Sequence, residues 1–188
     1  MSGTAKHRIL AALLAAVLFH ASALAGETVA EPSGYRMEEY RAPVPGTLQG
    51  ARVVTTQEAA ALLKEKRAVF FDVMPHTPKP AKLPAGTIWR EKVRNNIPGS
   101  VWLPNVGYGA LSPETADYFR AAIETLTGGD KKRVVLFYCM TDCWMSWNAA
   151  KRAVEWGYGS VVWYPSGADG WEKGGHALSE GKPYELAQ

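Results

Sequence analysis

The stretch RVVLFYCMTDCWMSWNAAKRAVEWGYGSVVWYPSGADGW, residues 133–171, holds both cysteines of the chain, Cys139 and Cys143. Its opening run, 133–138, is β-branched and aromatic, as a parallel strand buried on both faces requires. A helix is expected over about 145–156, stopping at Gly157. SVVWY, 160–164, reads as a further strand and PSGADGW, 165–171, as a turn. A strand that ends in Cys139 and turns at once into a helix places the sulfur above the carboxyl edge of a sheet, where open α/β sheets bind ligands. Backbone N–H groups at the helix start face the same space and favour an anion or a thiolate.

Working outward, AVFFDV (68–73) repeats the buried-strand pattern and ends on Asp72 and Val73. RVVT (52–55) is a shorter strand, and Thr55 or Thr56 is placed to cap a helix with Glu58 near the capping-box position. Residues 74–97 break every period with Pro75, Pro78, Pro80, Pro84 and Gly86, giving a long loop of the kind that often carries function. PGSVWLP (98–104) returns to strand character. Ser112 and Pro113 then start a helix that Gly128 and Gly129 stop. Repeated βα units predict an α/β domain with a mostly parallel central sheet and helices on both faces.

The N-terminus is set aside from the fold. Lys6, His7 and Arg8, an apolar run from Ile9 to Phe19 and the Ala23-Leu24-Ala25 site have the three parts of a secretory signal peptide. The expected organisation is a signal peptide over 1–25, an extended Pro- and Gly-rich arm over 26–50, one domain over 51–180 and a tail over 181–188. The apolar run is too short to span a bilayer, so no membrane association is expected after cleavage. The formal charge of +3 falls to +1 without Lys6 and Arg8, which gives no support for nucleic acid or an anionic membrane as partner. In the oxidising periplasm two lone cysteines tend to pair. Only His76 and His176 remain as imidazoles, both read as solvent-exposed, and no metal or cofactor is assigned.

The 133–171 stretch resembles the active-site half of a rhodanese domain. The matching residues are Cys139, Ala149-Ala150, Gly157-Tyr158, Val161-Val162, Gly167, Gly170 and Trp171. Upstream, FFDV is similar to the family's Asp-Val-Arg strand and NNIPGSVWLP to its His-Ile-Pro-Gly-Ala segment. The arm PSGYRMEEYRAPVPGTLQGARVV and the Cys-Trp loop further resemble exported bacterial rhodanese-like proteins associated with PQQ-dependent catabolism and named for a CXXCW motif. That resemblance implies a link to a PQQ-dependent alcohol dehydrogenase or its cytochrome c, though not PQQ binding by this chain. It also implies that Cys139 is the nucleophile. Three residues, Met140, Thr141 and Asp142, separate the cysteines here, one more than the motif's name counts.

The departures from the rhodanese pattern are chemical. Residues 140–150 hold no Arg or Lys; Met145, or Trp144 counting forward from Cys139, stands where the family's anion-holding Arg would be, and Met74 replaces the Arg of Asp-Val-Arg. Asp142 adds negative charge beside Cys139, which opposes both a thiolate and an anionic substrate. Arg90, Lys92 and Arg94 on the long loop are the cations that could restore the balance. Four readings of Cys139 and Cys143 remain: a redox-active pair, a structural disulfide, a sulfurtransferase nucleophile with a resolving thiol, and a Cu(I) site with Met140, Met145 and Met74. Trp144, next to Cys143, is expected either to shield the sulfurs or to present a docking surface. Asp72 is expected to brace the loop.

Overall fold

The computed structural model describes residues 29–77, 79–90 and 92–186; the proposed signal peptide over 1–25 lies outside them. The elements are β1 (Ala51–Val53), α1 (Thr56–Lys64), β2 (Val69–Asp72), β3 (Arg94–Asn96), β4 (Val101–Trp102), α2 (Pro113–Thr127), β5 (Val135–Tyr138), α3 (Trp144–Glu155), β6 (Val161–Tyr164), α4 (Gly167–Lys173) and β7 (Ser179–Gly181).

Five strands form a parallel sheet in the order β1-β6-β5-β2-β4. Its middle strand, β5, is buried at every residue, and the period-2 alternation of its side chains feeds two cores. Val135 and Phe137 face a core shared with α2 and α3, where Phe119, Ile123, Trp147 and Ala150 pack. Leu136 and Tyr138 face the other core, with Leu62 of α1 and Trp171 of α4. The expected α/β architecture with helices on both faces is therefore present.

Local chemistry explains the helix ends. The Thr55 hydroxyl accepts the Glu58 amide at 3.3 Å while the Glu58 carboxylate accepts the Thr55 amide at 2.8 Å, a reciprocal capping box. Ser112 caps α2 ahead of Pro113, and Gly128, at φ 65°, ends it in the left-handed conformation. Two expectations need correction. PSGADGW is not a plain turn: from Gly167 it winds into α4, its short polar residues having hidden a short helix that Trp171 anchors in the core. The long loop is also not structureless, since β3 within it pairs antiparallel with β7, Arg94 opposite Gly181 and Asn96 opposite Ser179.

Both ends of the described chain pack on this frame. Tyr184 donates its amide to the Trp102 carbonyl at 2.8 Å and accepts the Tyr118 hydroxyl on its own carbonyl at 2.7 Å. The arm crosses the first turns of α3. There the Asn148 side chain accepts the Arg36 amide and donates to the Arg36 and Gly107 carbonyls, each at 2.9 Å.

Candidate active site in the cysteine loop

β5 delivers Cys139 at the carboxyl edge of the sheet, and Cys143 is the residue from which α3 starts. The turn between them is tight enough to put Asp142 at φ 53°, a conformation that aspartate tolerates better than most residues. It brings the two Cα atoms to 6.2 Å and joins the sulfurs as a disulfide, within the separation that such a bond allows. Cys139 is 0% and Cys143 2% exposed.

The loop is braced from three sides. The Thr141 amide donates to Asp169 of α4 at 2.8 Å and its hydroxyl to the Ser166 carbonyl at 2.8 Å. Met140 bridges Gly167 in antiparallel fashion, and the Ala168 amide donates to the Cys139 carbonyl at 3.0 Å. From the arm, Arg41 bridges Cys143, and the Tyr40 carbonyl accepts the Trp144 amide at 2.9 Å. The expected anion cradle at the helix start is thus closed at Trp144 and Thr141, because both amides already have partners inside the protein.

Trp144 does not lie in an exposed loop. It is 2% exposed at the first turn of α3, its indole N–H donating to the Pro43 carbonyl at 3.1 Å and the Arg36 guanidinium lying 5.2 Å from its ring centroid. Buried beneath the arm, its ring is not available as a docking surface. Met145 is buried core, and Asp142 is exposed, so its charge sits in water rather than against the sulfurs.

Asp72 and Met74, from the end of β2, complete the site. Asp72 accepts the Met74 amide at 2.9 Å and the Arg94 guanidinium at 2.7 Å. Burial pushes its carboxyl above the usual carboxylate range, while Arg94 and the amide pull it back. Arg94 also donates to the Cys139 carbonyl at 3.1 Å. Of the three loop cations, Arg94 is therefore the one that reaches the cysteine loop, and it braces backbone rather than facing a sulfur. Met74 Sδ lies 3.6 Å from Cys139 Sγ; a disulfide sulfur carries no proton, so this is a sulfur–sulfur contact.

Beside the loop opens a cavity of about 370 Å³, lined by Met74, His76, Trp89, Arg94, Trp102 and Met140 among others. Neither cysteine lines it. Met74 does, and it also touches Cys139, so the thioether stands between cavity and disulfide. Arg94 was not picked out from the other loop cations by sequence, because its position depends on β3 meeting β7 far along the chain. Asn148, which ties down the arm, was hidden in an ordinary helical pattern.

Residues 55–174 match the rhodanese-like domain. The chain belongs to the rhodanese-like domain family. Among solved structures, this rhodanese-like chain is similar to the thiosulfate sulfurtransferase of Pseudomonas aeruginosa, at 17% identity and TM-score 0.48 over 71% of this chain and 21% of that one. It is also similar to the human single-domain sulfurtransferase, at 22% identity and TM-score 0.40 over 65% of this chain and 96% of that one. The chain spans about a fifth of the length of the Pseudomonas enzyme. No curated protein matches the sequence. The rhodanese-like frame thus carries, just past the end of β5, a cysteine bonded to a second cysteine from the same loop.

Proposed function

We propose that this rhodanese-like protein is an exported accessory of PQQ-dependent alcohol oxidation that works by thiol–disulfide chemistry at Cys139 and Cys143. Export to the periplasm rests on the tripartite pattern over 1–25. The accessory role, with a PQQ-dependent dehydrogenase or its cytochrome c as partner, rests on the resemblance of the arm and the Cys-Trp loop to the CXXCW proteins. The chemistry rests on one observation: the two cysteines are bonded to each other inside the loop where the family carries its nucleophile.

Such a small ring constrains the unfolded chain little, so the bond suits exchange better than stapling. Because both sulfurs are buried, an attacking thiolate gains access when the Tyr40–Arg41 segment lifts from the Cys143–Trp144 turn or the Met140–Gly167 bridge opens. Membership of the family favours a second reading on the same residues. A persulfide on Cys139 would be resolved by the Cys143 thiol, releasing hydrogen sulfide and leaving the disulfide.

Redox titration tests the proposal. A midpoint potential above about −300 mV is expected, in the range where exchange partners can reduce the bond. A potential far below that would make it a structural disulfide. Mass spectrometry of the reduced Cys143→Ser variant, which cannot resolve a persulfide, separates the second reading: after exposure to sulfane-sulfur donors it requires a Cys139 adduct about 32 Da heavier.

A further inference from the structure

The disulfide sulfurs are buried, and the half-buried thioether of Met74 lies 3.6 Å from one of them, Cys139 Sγ. We propose that the reduced loop is a three-sulfur binding site for a soft monovalent d¹⁰ ion, Cu(I), with Cys139 and Cys143 as thiolates and Met74 as the third ligand. The proposal rests on the same reducible cysteine pair as the thiol–disulfide reading.

Geometry comes first. Metal–thiolate bonds are about 2.3 Å, so sulfurs arranged trigonally around one ion lie about 4 Å apart. The Met74–Cys139 separation is close to that before any metal enters. A Cα separation of 6.2 Å lets the cysteine sulfurs part to a similar distance once their bond is broken.

The donor set selects the ion. Thiolate and thioether are the soft ligands that favour Cu(I), whereas zinc takes four ligands from Cys, His and carboxylates. Among the described residues no group of three or more His, Cys, Asp or Glu is placed to hold a metal. The surroundings are dry: Cys139, Cys143 and the neighbouring Trp144 are all buried. The cavity lined by Met74 and Met140 gives the ion a route in.

The chemistry balances in two steps. A dithiol reductant gives two electrons and two protons to the disulfide, becoming a disulfide itself and leaving two thiols. Cu(I) then displaces the two thiol protons and binds without change of oxidation state.

The test uses the full-length chain, reduced with excess dithiol, desalted under anaerobic conditions and titrated with Cu(I) against a competing chelator. One Cu(I) per chain is expected, with three sulfur scatterers in the copper X-ray absorption spectrum. Met74→Leu keeps the volume and both titratable thiols but should lower Cu(I) affinity at least about tenfold, the least that loss of an outer-shell partner costs a metal site. Met37→Leu, on the exposed arm, should change nothing, and near-UV dichroism should show both variants folded.

Wild-type affinity in Met74→Leu, a two-sulfur spectrum or no competition for Cu(I) by the wild-type chain would each overturn the site. The two readings fail separately: a potential above about −300 mV without Cu(I) binding retires the metal site and leaves thiol exchange standing. A bond reducible only by strong reductants, with tight Cu(I) binding afterwards, does the reverse.

Discussion

Arg94 and Asp72 form an ion pair at 2.7 Å beneath the cysteine loop, the carboxylate side chain wholly buried and the guanidinium 12% exposed. The pair is built across the fold, Asp72 ending β2 and Arg94 opening β3. Its spare N–H groups extend it to the Cys139 carbonyl, so the cysteine backbone is positioned by a charge that never faces the sulfur.

Arg94→Met should therefore destabilise the protein by about 3–5 kcal/mol, the cost of leaving one partner of a buried pair uncompensated. The loss should grow as pH rises. Burial already pushes the Asp72 carboxyl up; without the guanidinium it rises further, so the folded variant holds a proton that the folded wild type has released. Stability falls with pH wherever the native state binds more protons than the unfolded one. Denaturant unfolding of both proteins across the acidic range checks the sign: a loss that is largest at low pH would contradict the pairing.

Trp144→Ala removes a buried indole, and truncations of this kind cost about 3–5 kcal/mol. More diagnostic is where the damage appears. With the Trp144–Pro43 hydrogen bond gone, the arm loses an anchor next to the disulfide, and limited proteolysis should cleave at Arg36 or Arg41 ahead of any site in the sheet. Trp144→Phe keeps most of the packing and should cost only about 0.5–1.5 kcal/mol, one hydrogen bond to a carbonyl that water can reach. Uniform proteolysis in Trp144→Ala would mean that the arm is held elsewhere, at Asn148.

Breaking the disulfide should matter little to stability. Cys143 follows Cys139 by four positions, with three residues between them, and loop-closure entropy for a ring of about five residues gives only about 2 kcal/mol at 25 °C. Chemical unfolding of the oxidised wild type against Cys143→Ser measures it. A difference of about 4 kcal/mol or more, at the top of the range for native disulfides, would mark a staple rather than an exchangeable bond.

Much of this was legible in the sequence, for physical reasons that also mark its limits. The runs at β2 and β5 are apolar on both faces because helices cover both, and the caps at Thr55 and Ser112 are written within four residues. Such local signals placed Cys139 at the end of β5 and Cys143 in the short loop before a helix expected from about 145; α3 in fact starts directly after Cys143. What escaped depends on distant segments: β3 pairs with β7 through Asn95 and Glu180, and only that pairing directs Arg94 toward Asp72. Trp144 was read as a loop residue because nothing nearby shows that the arm lies over it. α4 was missed because Gly167 and Gly170, which a helix normally avoids, are there for contact with neighbouring backbone and side chains.

Gly167 supports the last prediction. A Cβ at this position would lie 2.5 Å from Met140 Cα, and its φ of 59° disfavours any side chain. Gly167→Ala therefore combines about 1–2 kcal/mol of left-handed strain with a backbone clash that must push Met140 away from the bridge. Because the neighbouring Ala168 amide holds the Cys139 carbonyl, the displacement reaches the disulfide, and reduction by a dithiol should become faster. Gly128→Ala is the comparison, since Gly128 has φ 65° with nothing within 4 Å of its would-be Cβ. It should show the strain in its unfolding free energy and leave the reduction rate unchanged. Equal reduction rates in the two variants would mean that the bridge does not control access to the cysteines, and that the arm alone does.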